Sequence, residues 1–418
     1  MIKDIIVLLA RGVEGCGVTK HTVELCKWFE KNNYAYTVVA SKDKAWSRKK
    51  CHEVKNLQEY KFSLPSEIDK IIDRCNRADL VIVNSLPSKS NDRGKGHGDE
   101  CVNGFKRILE SVNKSFVLIQ HDHIMHSIKR NEALKESIDK AKVIFAHSNT
   151  GDFATVVNEQ HSTGTAASLM NFFEEEKKPF YTFQPGMMFD ELREKYWRPI
   201  EEQDPKSHKW IGRTTSWKGY NMMLDFHNKY LMPNGYLTTL EGIERSPAFI
   251  DFKAKHKDRF INYISPTPLD PDNIDLSKHY GDYAACFSLY KNDNMLKRAA
   301  KTGFCYQLSI LAPRFIKHSI EYTHCELAAI GTIPVFRKEY GDACIHRAQG
   351  KPLTECKDSG TIWLSENNMA DALDSINKLS ADDVMRDEHR HMAYNFYKEH
   401  QDSSYVFTDL MVKIQKHV

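Results

Sequence analysis

This chain lacks a long hydrophobic run, paired cysteines and a strong charge of either sign, and each absence removes a class of protein. Nothing in its 418 residues approaches the ~20 consecutive apolar residues of a membrane span, so no membrane partner is expected. The opening MIKDIIVLLARG holds an apolar run, Ile5 to Ala10, too short for a signal peptide and followed by no small-residue cleavage site. It reads as a first buried strand. The 10 cysteines are scattered, with no CxxC pair and no zinc spacing. Dispersed cysteines in a large protein are usually reduced core residues, so a cytosolic compartment and no structural metal are expected. A net charge of +3 does not announce a nucleic-acid binder. Residues 1–160 carry 26 Lys and Arg against 21 Asp and Glu, an excess too small to decide anything. Internal repeats and low-complexity tracts are also missing.

What is present is an alternation of buried strands and amphipathic helices. Strands are predicted at Ile5–Ala10, Thr37–Ser41, Leu80–Ser85, Ser115–Asp122 and Val143–Ser148, with a helix over Thr19–Phe29. Such interleaving predicts an α/β fold whose parallel sheet is covered on both faces. Sites in such sheets lie beyond the carboxyl ends of the strands. The candidate loops are therefore Arg11–Thr19, Asn84–Pro87, Gln120–His123 and His147–Phe153. A mixed stretch, His161 to Pro185, reads as an irregular subdomain and linker. A second series follows: Trp210–Thr215 as strand and loop, Lys218–Tyr230 as a helix, then YLTTLEG, ACFSLY, IPVF and TIWL. Ala393 to Val418 reads as helical, with Asp402-Ser403-Ser404 able to cap a break. A chain of this length defaults to two domains.

Four constellations carry chemistry. In EYTHCELAAIGTIPVF, Glu321 to Phe336, a short helix stopped by Gly331 leads into a buried strand, and Glu326 is expected near the helix start. A carboxylate there can accept hydrogen bonds from both hydroxyls of a ribose, although an ordinary αβ unit would read the same way. WIGRTTSWKG puts Arg213 at a strand end and Lys218 five residues on, a pair suited to a diphosphate. Surface cations are common, so the pair gains meaning only from Glu326 in the same domain. Together the three describe a UDP-sugar donor site. In the first half, ARGVEGCGVTK places Gly12, Gly15 and Gly17 between a strand and a helix, without the GxGxxG spacing of a dinucleotide fingerprint. QHDH, Gln120 to His123, sets His and Asp at a strand end, where they can orient an acceptor hydroxyl or move its proton.

Eight segments, taken in order, resemble one family over nearly the whole chain: ARGVEGCGVTK, QHDH, FAHS-x-x-GDF (Phe145–Phe153), WIGRTTSWKG, ERSPAFI (Glu244–Ile250), GFCYQLS (Gly303–Ser309), EYTHCELAAIGTIPVF and HQDSS. The family is that of the DNA α-glucosyltransferases of T-even bacteriophages. The resemblance implies a GT-B fold: two facing Rossmann-like domains with a deep cleft between them and a C-terminal helix returning to the first domain. Residues 1–184, completed by 393–418, would be the acceptor (DNA) domain, and 185–392 the UDP-sugar-binding domain. The implied reaction moves glucose from UDP-glucose, with retention of configuration, onto 5-hydroxymethylcytosine in double-stranded DNA. It would protect phage DNA from restriction in the cytoplasm of the infected host. The implied enzyme is a monomer needing no cofactor, with Mg²⁺ not predicted.

Carried over residue by residue, Arg213 and Lys218 would hold the diphosphate, Glu326 the ribose and Glu321 the sugar hydroxyls. Gly15, Cys16, Gly17 and Val18 would close over the sugar and diphosphate. His121 and Asp122 would face the acceptor, with Arg213 stabilising the leaving group. Arg48, Lys49, Arg93, Lys95, Lys129 and Arg130, from the local basic clusters, are the candidate DNA contacts. Two departures from the family pattern keep other substrates open. The loop Ser88 to Asp99 looks longer and more basic. Cys305 stands where glycine is expected and Ile330 also differs; both are expected to border the sugar. The alternatives are UDP-arabinose as donor, an already glycosylated base, a small-molecule or glycan acceptor, or a non-catalytic DNA- or nucleotide-binding protein.

Overall fold

The computed structural model describes residues 2–10, 17–43, 53–87, 99–121, 140–146, 178–213, 218–243, 254, 285–287, 292–309, 320–346 and 348–418. Among these, the chain divides into two compact units. One comprises residues up to Gly186 together with Ser403–Val418; the other runs from Met187 to Asp402.

In the first unit, β1 (Asp4–Leu9), β2 (Ala35–Ser41), β3 (Leu57–Tyr60), β4 (Leu80–Asn84), β5 (Phe116–Gln120), β6 (Ala141–Ala146) and β7 (Phe180–Thr182) form one sheet. Their order is β3-β2-β1-β4-β5-β6-β7, and every pairing is parallel. The β-branched runs of β1, β4 and β5 are buried on both faces, which is why they read as continuous apolar stretches rather than alternating ones. Helix α1 (Gly17–Lys31) is buried from Thr19 through Cys26 except at Lys20. Helices α2 (Pro65–Arg77) and α3 (Asp99–Ser111) present narrower apolar faces, Ile68, Ile71 and Cys75 on the first. Strand β3, with only Leu57 apolar before Tyr60, and the three-residue β7 carry too little pattern to be predicted, and both are edge strands.

The second unit opens with α4 (Phe189–Tyr196). It then holds β8 (Asp204–Arg213), α5 (Tyr220–Phe226), β9 (Leu237–Ile243), β10 (Ala285–Phe287), α6 (Asn292–Ala300), β11 (Thr302–Gln307) and α7 (Tyr322–Ala329). After these come β12 (Ile333–Arg337), α8 (Lys338–Ala343), β13 (Ile362–Leu364), α9 (Met369–Ala381) and α10 (Asp383–Gln401). Its sheet runs β10-β9-β8-β11-β12-β13, again all parallel. The stop at Gly331 has a physical cause: its φ is 75°, and a side chain there would strike the Trp197 ring.

The C-terminal helical segment is not one helix. Asp402 adopts an extended conformation between α10 and α11 (Ser403–Gln415), and α10 belongs to the second unit while α11 packs on α1 in the first. Residues 393–402 therefore lie with the second unit rather than with 403–418. The seven cysteines whose side chains are described are all buried, and no described helix is long and apolar enough to cross a membrane.

Candidate active site

Each sheet reverses its strand order at one place, between β1 and β4 in the first unit and between β8 and β11 in the second. Connections leaving adjacent strands there diverge to opposite faces, opening a crevice at the carboxyl ends. Both crevices collect polar side chains.

In the second unit, Gly219 follows Lys218 with a φ of 72° and caps α5. A Cβ at this position would collide with the Leu308 carbonyl, so glycine lets the turn after β8 press against the chain leaving β11. The approach sets Lys218 Nζ 3.1 Å from Ser309 Oγ and 2.5 and 2.6 Å from the two carboxylate oxygens of Glu321. Gln307 Nε2 donates to Glu321 at 2.8 Å. The Ser309 hydroxyl, with one proton, lies 3.1 Å from Gln307 Oε1 and 3.3 Å from Glu321 Oε1. Lys218 and Glu321 keep 12% and 27% of their side-chain surface exposed, so the pair is accessible to a ligand. Arg213 is the last residue of β8, at the same sheet end; its side chain lies outside the described structure.

Two expectations change here. Helix α7 begins at Tyr322 with Glu321 as its N-cap residue, so the carboxylate at the helix start is Glu321 and not Glu326. Glu326 sits in the second turn, 3% exposed. Cys305 and Ile330, expected beside the sugar, are fully buried in the core. The Cys305 thiol faces the Ala299 carbonyl at 3.9 Å, and burial pushes its pKa up to about 12.

In the first unit, β4 ends at Asn84, β5 leads into His121, and α1 starts beside them. His121 Nε2 lies 2.8 Å from Asn84 Oδ1. Asn84 Nδ2 donates to Thr22 Oγ1 at 2.7 Å and approaches the Val18 carbonyl at 3.4 Å, while the Thr22 hydroxyl donates to that carbonyl at 3.0 Å. The His121 ring packs edge-on against His21 and Phe183, with centroids 4.8 and 4.9 Å away. Ser85, next after Asn84, holds a φ of 75°, a conformation that costs a non-glycine residue about 1 kcal/mol or more. It is retained because Ser85 N–H donates to the Ile119 carbonyl at 2.7 Å and Leu86 N–H to Gln120 Oε1 at 2.9 Å.

Of the predicted site residues, the structure joins Lys218 to Glu321 and places Gly17 and Val18 at the start of α1 beside Asn84. Gly15, Cys16 and Asp122 lie outside the described residues, as do Arg48, Lys49, Arg93, Lys95, Lys129 and Arg130. Gln307 and Ser309 were missed, though both stand in GFCYQLS just where an apolar strand turns polar. Thr22 was missed as a helix residue with no motif of its own.

Paired all-parallel α/β units of this kind build the GT-B class of nucleotide-sugar transferases, and the lysine–carboxylate cluster at the second sheet's reversal suits a phosphorylated, polyhydroxylated donor. A family model for DNA alpha-glucosyltransferase matches residues 16–384. The DNA alpha-glucosyltransferase of Enterobacteria phage T4 is 39% identical over 417 residues, covering 97% of this chain and 98% of that protein. A solved alpha-glucosyltransferase in complex with UDP-glucose and DNA containing an abasic site matches with a TM-score of 0.81 and 37% identity over 99% of both chains. Another, in complex with UDP and a 13-mer DNA containing a HMU base, matches at 0.80 and 35% over 99% of this chain and 100% of that one. This chain belongs to the DNA alpha-glucosyltransferase family and is a UDP-glucose-dependent glycosyltransferase of DNA.

Proposed function

We propose that this protein transfers glucose from UDP-glucose to the hydroxymethyl oxygen of 5-hydroxymethylcytosine in duplex DNA, retaining the α configuration. The observation that carries the donor assignment is the cluster of Lys218, Glu321, Gln307 and Ser309 at the β8/β11 reversal. Lys218 and Arg213 bind the diphosphate, Glu326 the ribose, and Glu321 the sugar hydroxyls. The loop Gly15–Val18 covers sugar and diphosphate. Residues Met187–Asp402 form the donor unit, and the first unit takes the acceptor, with Asn84 and His121 at its own sheet reversal supporting that choice.

In the transfer, the bond from the sugar C1 to the β-phosphate oxygen breaks and its electron pair leaves with UDP. The hydroxymethyl oxygen attacks C1 from the same face, and its proton passes to the departing phosphate or to a protein base. Arg213 and Lys218 stabilise the charge gathering on the phosphate. His121 and Asp122 hold the acceptor hydroxyl, whose base leaves the DNA stack to reach the site. Arg48, Lys49, Arg93, Lys95, Lys129 and Arg130 contact the DNA backbone. The two cationic side chains supply charge that a divalent metal supplies elsewhere, so transfer proceeds in EDTA. The enzyme works as a monomer in the cytoplasm of the infected host.

The test is a mass shift on duplexes carrying cytosine or 5-hydroxymethylcytosine, with UDP-glucose and EDTA. One hexose added only to the hydroxymethyl duplex is expected. A shift with UDP-arabinose alone, or only on already glycosylated DNA, would overturn the donor or the acceptor assignment.

A further inference from the structure

We infer that Asn84 is a positioning residue that fixes the proton of His121 on Nε2 and so makes Nδ1 the nitrogen able to accept the proton of the acceptor hydroxyl. The inference rests on the proposed placement of His121 at the acceptor site. Its evidence is a hydrogen-bond chain whose directions are forced.

The chain starts at the Val18 carbonyl, which can only accept. The Thr22 hydroxyl spends its one proton on that carbonyl at 3.0 Å. Thr22 Oγ1 can then only accept from Asn84, 2.7 Å away, so the group of Asn84 that faces it is the amide nitrogen. The same nitrogen approaches the Val18 carbonyl at 3.4 Å. The carbonyl oxygen of Asn84 is thereby turned to His121 Nε2 at 2.8 Å, and the ring nitrogen must donate. Flipping the amide would place two carbonyl oxygens against each other and draw the Thr22 proton away from Val18, losing two hydrogen bonds. With Nε2 protonated, the lone pair of the neutral ring resides on Nδ1.

The amide itself is held from its own backbone. Asn84 ends β4, and the left-handed Ser85 that follows is tied to β5 by Ser85 N–H to Ile119 at 2.7 Å. The next residue is fixed by Leu86 N–H to Gln120 Oε1, so the residue before His121 also orients the turn that carries Asn84. Among the described residues, His21 of α1 packs edge-on against His121, and the same helix carries the ionisable Lys20, Glu24 and Lys27, the two lysines paired with Glu24. Asp122 follows in sequence.

The experiment compares the full-length enzyme with N84L and N84D by imidazole nitrogen NMR and by pH–rate profiles of glucose transfer. The wild type is expected to show His121 protonated on Nε2. In N84L, which offers no acceptor, the two tautomers should mix, and kcat should fall about 10- to 100-fold while KM for UDP-glucose stays within about twofold. N84D keeps an acceptor but adds a charge, so it should retain the tautomer, recover part of kcat, and move the acid limb of the kcat profile up by about one pH unit. A merely structural Asn84 would lower activity alike in both variants and leave the limb in place. That result, or an unmixed Nε2 tautomer in N84L, overturns the inference. H121A reads the underlying placement separately: full activity in that variant refutes His121 at the acceptor, whatever the tautomer spectra show.

Discussion

Replacing Glu321 by glutamine is expected to tighten the binding of UDP while slowing the transfer of glucose. Without ligand, the Lys218 ammonium is committed to both Glu321 oxygens at 2.5 and 2.6 Å, and a diphosphate must compete for it. Two unit charges ~4 Å apart at an effective dielectric of ~20 attract by about 4 kcal/mol. Both side chains reach solvent, which leaves roughly 1 kcal/mol of that as net interaction. Neutralising the carboxylate releases this and also removes an anion beside the phosphates, so the two effects have one sign. The Kd for UDP should fall about fivefold, less at high salt. Transfer should move the other way, because an amide cannot accept from the sugar hydroxyls as an anion does; a lost hydrogen bond to a charged group lowers turnover about tenfold or more. Titration calorimetry with UDP and single-turnover transfer measure the two separately. Weaker or unchanged UDP binding together with slow transfer would refute the reasoning and make the pair a structural salt bridge.

Three further outcomes are expected. Arg213→Ala should depress turnover roughly 100-fold or more if the guanidinium stabilises the leaving diphosphate, and near wild-type turnover in steady-state assays would remove that role. Glu241 is fully buried between Lys209, whose Nζ is 3.3 Å away, and Arg298, so Glu241→Gln should cost about 3–5 kcal/mol in urea unfolding. A loss under about 1 kcal/mol would mean that the cations find other anions. His208 is fully buried, and burial holds its imidazole well below its usual pKa, so the folded state keeps it neutral while the unfolded chain protonates near ~6.5. Stability should be full above that pH and decline below it by up to ~1.4 kcal/mol per unit. The excess slope should vanish in His208→Gln, and an identical slope there would refute the assignment.

How far the sequence revealed this molecule depended on where burial is symmetrical. Leu80–Asn84 and Phe116–Gln120 are buried on both faces and announce themselves as apolar runs. Leu57–Tyr60 is half-exposed at a sheet edge and does not. The break at Asp402 was legible because a short polar side chain followed by two serines competes with helical backbone bonding. The start of α7 was misplaced because Tyr322, Thr323 and His324 are indifferent helix formers, so composition pointed to Leu327–Ile330 instead. Tertiary burial of His324 and Cys325 overrides that preference and moves the helix start back to Tyr322, with Glu321 as its N-cap.

The candidate site was harder to see for a different reason. Its hydrogen bonds join residues far apart in sequence: Lys218 to Glu321 spans 103 positions and Asn84 to Thr22 spans 62. A local window registers each partner only as a polar residue after an apolar run. What brings Lys218 to Ser309 is that β11 pairs with β8 rather than with β9 or β10, and nothing in the pattern of β11 itself chooses that neighbour. The choice is completed by Gly219, whose missing side chain admits the Leu308 backbone. The last glycine of WIGRTTSWKG thus acts before any ligand does, by setting how closely two strand ends meet. The reach of Lys218 toward the neighbouring strand follows from that spacing.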